Sequence, residues 1–216
     1  MTRLALIHAL AHSVAPINEE LSRAWPEAVR MNLLDDSLSA DLARSGTGLD
    51  AAMHQRFESL AAYAEGTGAN AILFTCSAFG SCIEAVAARR PHMPVLKPNE
   101  AMVAEAVAVA RGGRIGLVAS FAPTLTSMPP EFPPGTQLVT RLAEGAMEAL
   151  NRGDTAEHDA LVVEAARWLA DQGCDAIALA QFSMARAQMA VHRAVDLPVL
   201  TTPGSAVRML RHRLGA

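Results

Sequence analysis

Short, continuous apolar runs alternate along the chain with longer stretches in which apolar residues recur every three or four positions. The runs are Leu4–His8, Val29–Leu34, Ala71–Thr75, Val95–Lys97, Ile115–Ala119, Leu138–Arg141, Ala176–Ala180 and Val199–Thr201. Their length and lack of polar interruption predict buried strands. Met53–Gly66, Glu100–Arg111, Glu157–Gly173 and Ala185–Ala194 carry helical spacing. Apolar strands separated by helices imply parallel sheets covered on both faces, an α/β fold. One stretch departs from the pattern: Phe121–Gln137, with Pro129, Pro130, Pro133 and Pro134. Proline fixes φ and removes a donor, so neither regular helix nor strand is expected there. A lid, a dimer contact and a plain surface connection all fit that loop.

The pattern also repeats. RLALIHALAHS at Arg3–Ser13 matches RIGLVASFAPT at Arg114–Thr124, and GANAILFTCSAFG at Gly68–Gly80 matches GCDAIALAQFSMA at Gly173–Ala185. MPVLKPNEAMV at Met93–Val103 matches LPVLTTPGSAV at Leu197–Val207. Three segments recurring in one order at near-constant offset predict two similar α/β lobes, not a solenoid of many short units. The lobes are expected at residues 1–102 and 103–203, related by a pseudo-twofold axis, with a C-terminal helix over 204–216 returning to the first. Ligands of open parallel sheets bind beyond the carboxyl ends of the strands. The active site is therefore expected where the strand ends of the two lobes face each other across a cleft.

Composition narrows the function classes. Hydrophobic residues make up 51% of the chain and aromatic residues 4%, and the net charge is −4. Without a basic run or basic–aromatic interleaving, a nucleic-acid partner is not expected. The N-terminal MTRLALIHALAHS shows no charged n-region with a cleavage site, and no run of about 18 apolar residues occurs. A cytoplasmic protein without a membrane partner is expected. The 3 cysteines, Cys76, Cys82 and Cys174, form no CxxC pair, which suits a reducing compartment with free thiols. His54, His158, His192 and His212 have no metal-site spacing, and no nucleotide-binding glycine motif appears.

The chemistry concentrates at FTCSAFGSCIEAV. Cys76 stands at the step from a buried strand into a helix. Unpaired N–H groups and the dipole at a helix start favour a thiolate, so a lowered thiol pKa is expected there. Ser77, Ala78 and Gly80 leave little bulk over those amides, allowing a carboxylate or developing oxyanion to approach. Cys82 and Cys174 are expected to be structural, and Met184 and Met189 to belong to the core.

The two-lobed repeat, the TCSAFG step and its echo LAQFSMA resemble the aspartate/glutamate racemase superfamily, with its hydantoin racemases, maleate isomerases and arylmalonate decarboxylases. The resemblance spans nearly the whole chain. It implies a cofactor-independent enzyme acting on a small carboxylate (an amino acid, a hydantoin or a dicarboxylate), and a homo-oligomer is expected. It also implies one cysteine from each lobe on opposite faces of the substrate's α-carbon. Cys76 falls on the first-lobe cysteine, and the second-lobe position is Gln181. An amide neither gives nor takes a proton at working pH, so symmetric two-thiol racemisation is excluded.

Either Ser183, His8 or His12 serves the second face, or the reaction needs one thiol, as in decarboxylation through an enediolate or addition–rotation–elimination. Gln181 is otherwise a hydrogen-bond partner for a substrate carboxylate or amide. His12, Ser13, Ser77, Ala78, Ser120, Thr124 and Ser183 are candidate substrate contacts. Asp35 and Asp36 suit a basic substrate group or a helix cap. The leading expectation is an isomerase or racemase-like enzyme with Cys76 as acid/base or nucleophile. Its competitors are a cofactor-free decarboxylase and a non-catalytic carboxylate-binding protein.

Overall fold

The computed structural model of the protein describes residues 1–46 and 48–216. Each of the eight apolar runs forms a strand, to within one residue at either end. Strands β1 (Arg3–His8), β2 (Val29–Leu34), β3 (Ala71–Phe74) and β4 (Val95–Leu96) make one parallel sheet in the order β2-β1-β3-β4. Strands β5 (Arg114–Ala119), β6 (Gln137–Leu142), β7 (Ala176–Leu179) and β8 (Val199–Thr201) make a second, in the order β6-β5-β7-β8. The central strands β1, β3, β5 and β7 are buried almost throughout, as continuous apolar sequence requires, whereas β2 and β6 are half-exposed edges.

The helices in chain order are α1 (Val14–Ala24), α2 (Ser37–Ser45), α3 (Ala51–Gly66), α4 (Gly80–Arg89) and α5 (Glu100–Ala110). They continue with α6 (Thr124–Ser127), α7 (Ala146–Asn151), α8 (Thr155–Asp171), α9 (Gln188–Val195) and α10 (Thr202–Leu214). The two long helices that lead into β3 and β7 start alike. Asp50 accepts from Met53 N–H at 2.9 Å ahead of α3, and Asp154 accepts from Glu157 N–H at 3.0 Å ahead of α8. Each carboxylate satisfies one of the helix's orphan donors.

The chain divides into two compact units, Met1–Pro98 with Ala206–Ala216, and Asn99–Ser205. The division falls ahead of α5, so that helix lies wholly in the second unit, and again inside α10. Beyond that point Arg211 donates to Ala24 C=O at 2.8 Å and stacks its guanidinium over Trp25, tying the end of α10 to α1.

Three expectations are corrected. Phe121–Gln137 does hold regular turns: α6, and a 3-10 turn over Pro129–Glu131. Proline fits the first position of such a turn because its missing N–H would have no partner there. Met128 and Phe132 anchor the segment by burial in the second unit's core. The helix expected over Ala185–Ala194 is split into a 3-10 turn, Phe182–Ala187, and α9. Met184 is core, but Met189 is exposed on the first turn of α9.

Candidate active site

Cys76 is set by the end of the first unit's central ladder. Thr75 N–H still bonds to Ile7 C=O at 3.0 Å, so pairing runs to the residue before it. Cys76 itself is extended (φ −128°, ψ 121°) and precedes a 3-10 turn, Ser77–Phe79, after which α4 begins at Gly80. Phe79 fixes that turn by packing its ring 4.9 Å from Phe57, which also stacks on Phe74 at 5.2 Å. The residue is half-buried, and Ser77 and Ala78 beside it are half-buried and exposed. Its sulfur packs against the apolar cluster of the first unit, with Ile7, Leu38, Phe57 and Phe74 among its neighbours.

Burial among these groups pushes the Cys76 thiol up from its ordinary 9.0; hydrogen bonds from Ala78 N–H and the Ser39 hydroxyl offset this only in part. The lowered pKa expected from the helix start is thereby corrected. The three-residue turn holds the sulfur away from the end of α4, and the macrodipole's influence fades within a turn. Apolar contact then dominates, and at neutral pH the free protein carries a thiol. Ala78 N–H, expected to meet a substrate oxyanion, is directed at the sulfur instead.

Next to Cys76 runs a polar chain. His8 is fully buried on β1, with Nδ1 2.9 Å from Thr75 Oγ1 and 3.2 Å from Ser13 Oγ, and Nε2 3.0 Å from Asn32 Oδ1. Asn32 Oδ1 also accepts from Asn18 at 2.8 Å, which identifies it as the amide oxygen. Nε2 therefore carries the imidazole proton, and Nδ1 accepts from Thr75. Burial lowers the His8 pKa, opposed by its bond to Asn32, so the ring is neutral at neutral pH. Ser13 is buried as well; its hydroxyl donates to Leu10 C=O at 2.7 Å and lies 2.8 Å from Thr75 Oγ1. His12, on the same 3-10 turn, is exposed.

Gln181 occupies the corresponding place in the second unit, extended (φ −127°, ψ 146°) and leading into the turn Phe182–Ala187. Its Oε1 accepts from Ser120 N–H at 2.6 Å and from Ser120 Oγ at 3.1 Å. Ser120 and Thr124 are buried at the end of β5 and the start of α6, and Ser183 is half-buried. The second unit thus brings Gln181 and Ser120 into contact, and the first gathers Ser13 and His8 around Thr75.

Asp35 and Asp36 part company. Partial burial raises the Asp35 carboxyl, but Ser37 at 2.6 Å and Arg56 at 2.7 Å outweigh it and hold the pKa below the ordinary range. Asp36 is the exposed cap position of α2. Cys82 and Cys174 are buried in the two cores, and burial pushes both thiols up. Sequence reasoning missed Ser39, Asn32 and Asn18. Only the fold brings α2 and β2 up to β1 and β3, and nothing local in LLDDSLSADL marks one serine as a cysteine's partner. Among the described residues, no helix is long and apolar enough to cross a membrane.

A family model described as Asp/Glu/hydantoin racemase matches residues 11–210. Among solved structures, allantoin racemase from Klebsiella pneumoniae is 19% identical with a TM-score of 0.71, over 100% of this chain and 88% of that one. Glutamate racemase isoform RacE1 from Bacillus anthracis is 13% identical with a TM-score of 0.70, over 99% and 83%. Unliganded arylmalonate decarboxylase is 12% identical with a TM-score of 0.69, over 100% and 94%. At these identities the likeness is one of fold. No curated protein matches the chain significantly.

Proposed function

The chain belongs to the Asp/Glu/hydantoin racemase family, and from that premise we propose that it is a cofactor-independent, racemase-like enzyme that moves a proton at the carbon next to a small acid's carboxyl group, through Cys76. The observation that carries this reading is the position of one half-buried sulfur at a strand end, where Ala78 N–H and the Ser39 hydroxyl offset part of the cost of forming its thiolate. In the base direction the thiolate takes the α-proton and the substrate becomes an enediolate. Ser77 N–H and nearby hydroxyls are proposed to hold the enediolate's charge. With glutamine, not cysteine, at the residue that matches Cys76 in the repeat, Cys76 itself returns the proton it removed, to the same face. Exchange of the α-proton is then faster than loss of optical activity.

The test is ¹H NMR of α-proton exchange in heavy water over a panel of amino acids, hydantoins and dicarboxylates. Cys76→Ala and Cys76→Ser are expected to abolish exchange while keeping the thermal unfolding midpoint. Undiminished exchange in both variants would rule out the sulfur's role.

A second reading is favoured by the raised thiol pKa: a group protonated at rest is an acid. Such a thiol suits protonation of an enediolate left by decarboxylation, with carbon dioxide released. The two readings differ in the sign of their pH dependence. Base action needs the thiolate, so the rate keeps rising with pH beyond the ordinary thiol value of 9.0. Acid action needs the thiol, so the rate falls over the same interval.

A further inference from the structure

Ser39, whose hydroxyl meets the Cys76 sulfur, rides on α2, and a single guanidinium grips that helix from α3. Arg56 places Nη2 2.7 Å from Asp35 Oδ2 and 2.6 Å from Ser37 Oγ, and Nη1 2.6 Å from Asp41 Oδ2. Ser39 stands midway between Ser37 and Asp41 in the chain, so the grip closes on both sides of it. All of these residues belong to the first unit.

An exposed ion pair taken alone contributes little to stability. A planar fork bonded to several groups of one short segment does something else: it fixes an orientation. The apolar side of α2 cannot do the same. Leu38 is buried and Leu42 packs against the same core, which sets how deep the helix lies. Such burial is non-directional, so rotation about the helix axis stays soft. A hydrogen bond weakens steeply with angle, and a modest rotation of α2 takes the Ser39 hydroxyl off the sulfur. Bonds from Arg44 and Arg56 hold the Asp41 carboxyl below its ordinary range, as that of Asp35 is held, so both anchors stay charged wherever a thiol titrates.

We infer that Arg56 is a positioning residue for Cys76: by holding Asp35, Ser37 and Asp41 it keeps the Ser39 hydroxyl within reach of the sulfur. The inference rests on the proposed function for its bearing on turnover, but its test reads the thiol directly.

The experiment measures the pH profile of Cys76 alkylation by iodoacetamide, with peptide mass spectrometry to separate the three thiols. Arg56→Gln and Asp41→Ala are each expected to slow alkylation about threefold or more at about pH 8, a fraction of what one hydrogen bond to a charged group contributes. Their midpoints move to higher pH. Asp41→Ala separates position from charge, because loss of a nearby negative charge alone would ease ionisation of the thiol and speed the reaction. In a Ser39→Ala background, Arg56→Gln is expected to add no further change, as a residue acting through that hydroxyl requires. Circular dichroism checks the fold; should Arg56→Gln unfold, Asp41→Ala decides alone, since alanine is the best helix former. Alkylation at the parental rate in a folded variant overturns the inference, as does faster alkylation of Asp41→Ala. Equal slowing by Arg56→Gln with and without Ser39 overturns it too. Each of these outcomes leaves the proposed function standing. Profiles that shift as expected in a protein that exchanges no acid's α-proton overturn the proposed function and leave the hold of Arg56 on the thiol in place.

Discussion

The proton on Cys76 answers to two neighbours with one hydrogen between them. Ser39 Oγ lies 3.0 Å from Ala9 C=O, and the same hydroxyl hydrogen-bonds the Cys76 sulfur. A serine has one proton to give. While the sulfur is a thiol, its S–H is donated to Ser39 and Ser39 donates to Ala9. When the sulfur ionises, the Ser39 hydroxyl must turn toward it and release Ala9. Removing the hydroxyl costs the thiol a weak S–H bond and the thiolate a stronger, charge-assisted one, so the thiolate is destabilised more. Ser39→Ala is expected to move the midpoint of Cys76 alkylation by iodoacetamide to higher pH, while Ser39→Thr keeps it; peptide mass spectrometry separates Cys76 from Cys82 and Cys174. At this scale the sequence was half legible. FTCSAFG located the sulfur at a strand–turn step from local residues. Its acidity depended on Leu38, Phe57 and Ser39, which reach it from other segments and leave no mark near position 76.

Among the elements, His8 links β1 to β3 through Thr75, to β2 through Asn32, and to the turn before α1 through Ser13. Only a neutral ring can accept the Thr75 proton at Nδ1 while donating from Nε2. Because burial lowers the folded-state pKa below the ordinary 6.5, the unfolded chain binds a proton that the folded chain refuses. Stability contributed by this group is complete above about pH 6.5 and is lost as pH falls toward the folded pKa. His8→Gln lacks the titration, so the difference in unfolding free energy between the parent and the variant is expected to narrow from about pH 7 to about pH 5. Urea unfolding at each pH measures it, and a constant difference would mean that folding leaves the pKa of the ring unchanged. Strands were the most legible elements, since a two-sided buried strand must be apolar along its whole length. The 3-10 turns at Ser77–Phe79 and Phe182–Ala187 were not, because three to six residues show no period that distinguishes them from the first turn of an α-helix. Those turns decide where Cys76 and Gln181 stand relative to the helices behind them.

Across the whole molecule, the repeat read from sequence corresponds to a duplicated set of contacts. Asn70 accepts from Arg3 N–H at 2.8 Å and Asp175 accepts from Arg114 N–H at 2.8 Å, while the two arginine side chains bond to the carbonyls of Thr67 and Gln172. The strand orders are the same as well. The units differ where a helix meets the central strand. Ala5 on β1 corresponds to Gly116 on β5, where an added Cβ would lie 3.0 Å from both Leu169 Cβ on α8 and Ile177 Cδ1 on β7. Leu169 Cβ is fixed to the helix backbone and cannot turn aside as a side-chain tip can, so α8 must move to admit a methyl group. Gly116→Ala is expected to destabilise the protein by about 1–3 kcal/mol, the usual cost of overpacking a full core. Ala5→Gly loses a methyl where the fold accepts one and adds backbone freedom to the unfolded chain, costing about 1 kcal/mol. Two substitutions that each exchange one unit's residue for the other's should therefore both lower the urea midpoint. A stabilising Gly116→Ala would mean that α8 shifts freely, and that the closer packing of the second unit is not what requires glycine there.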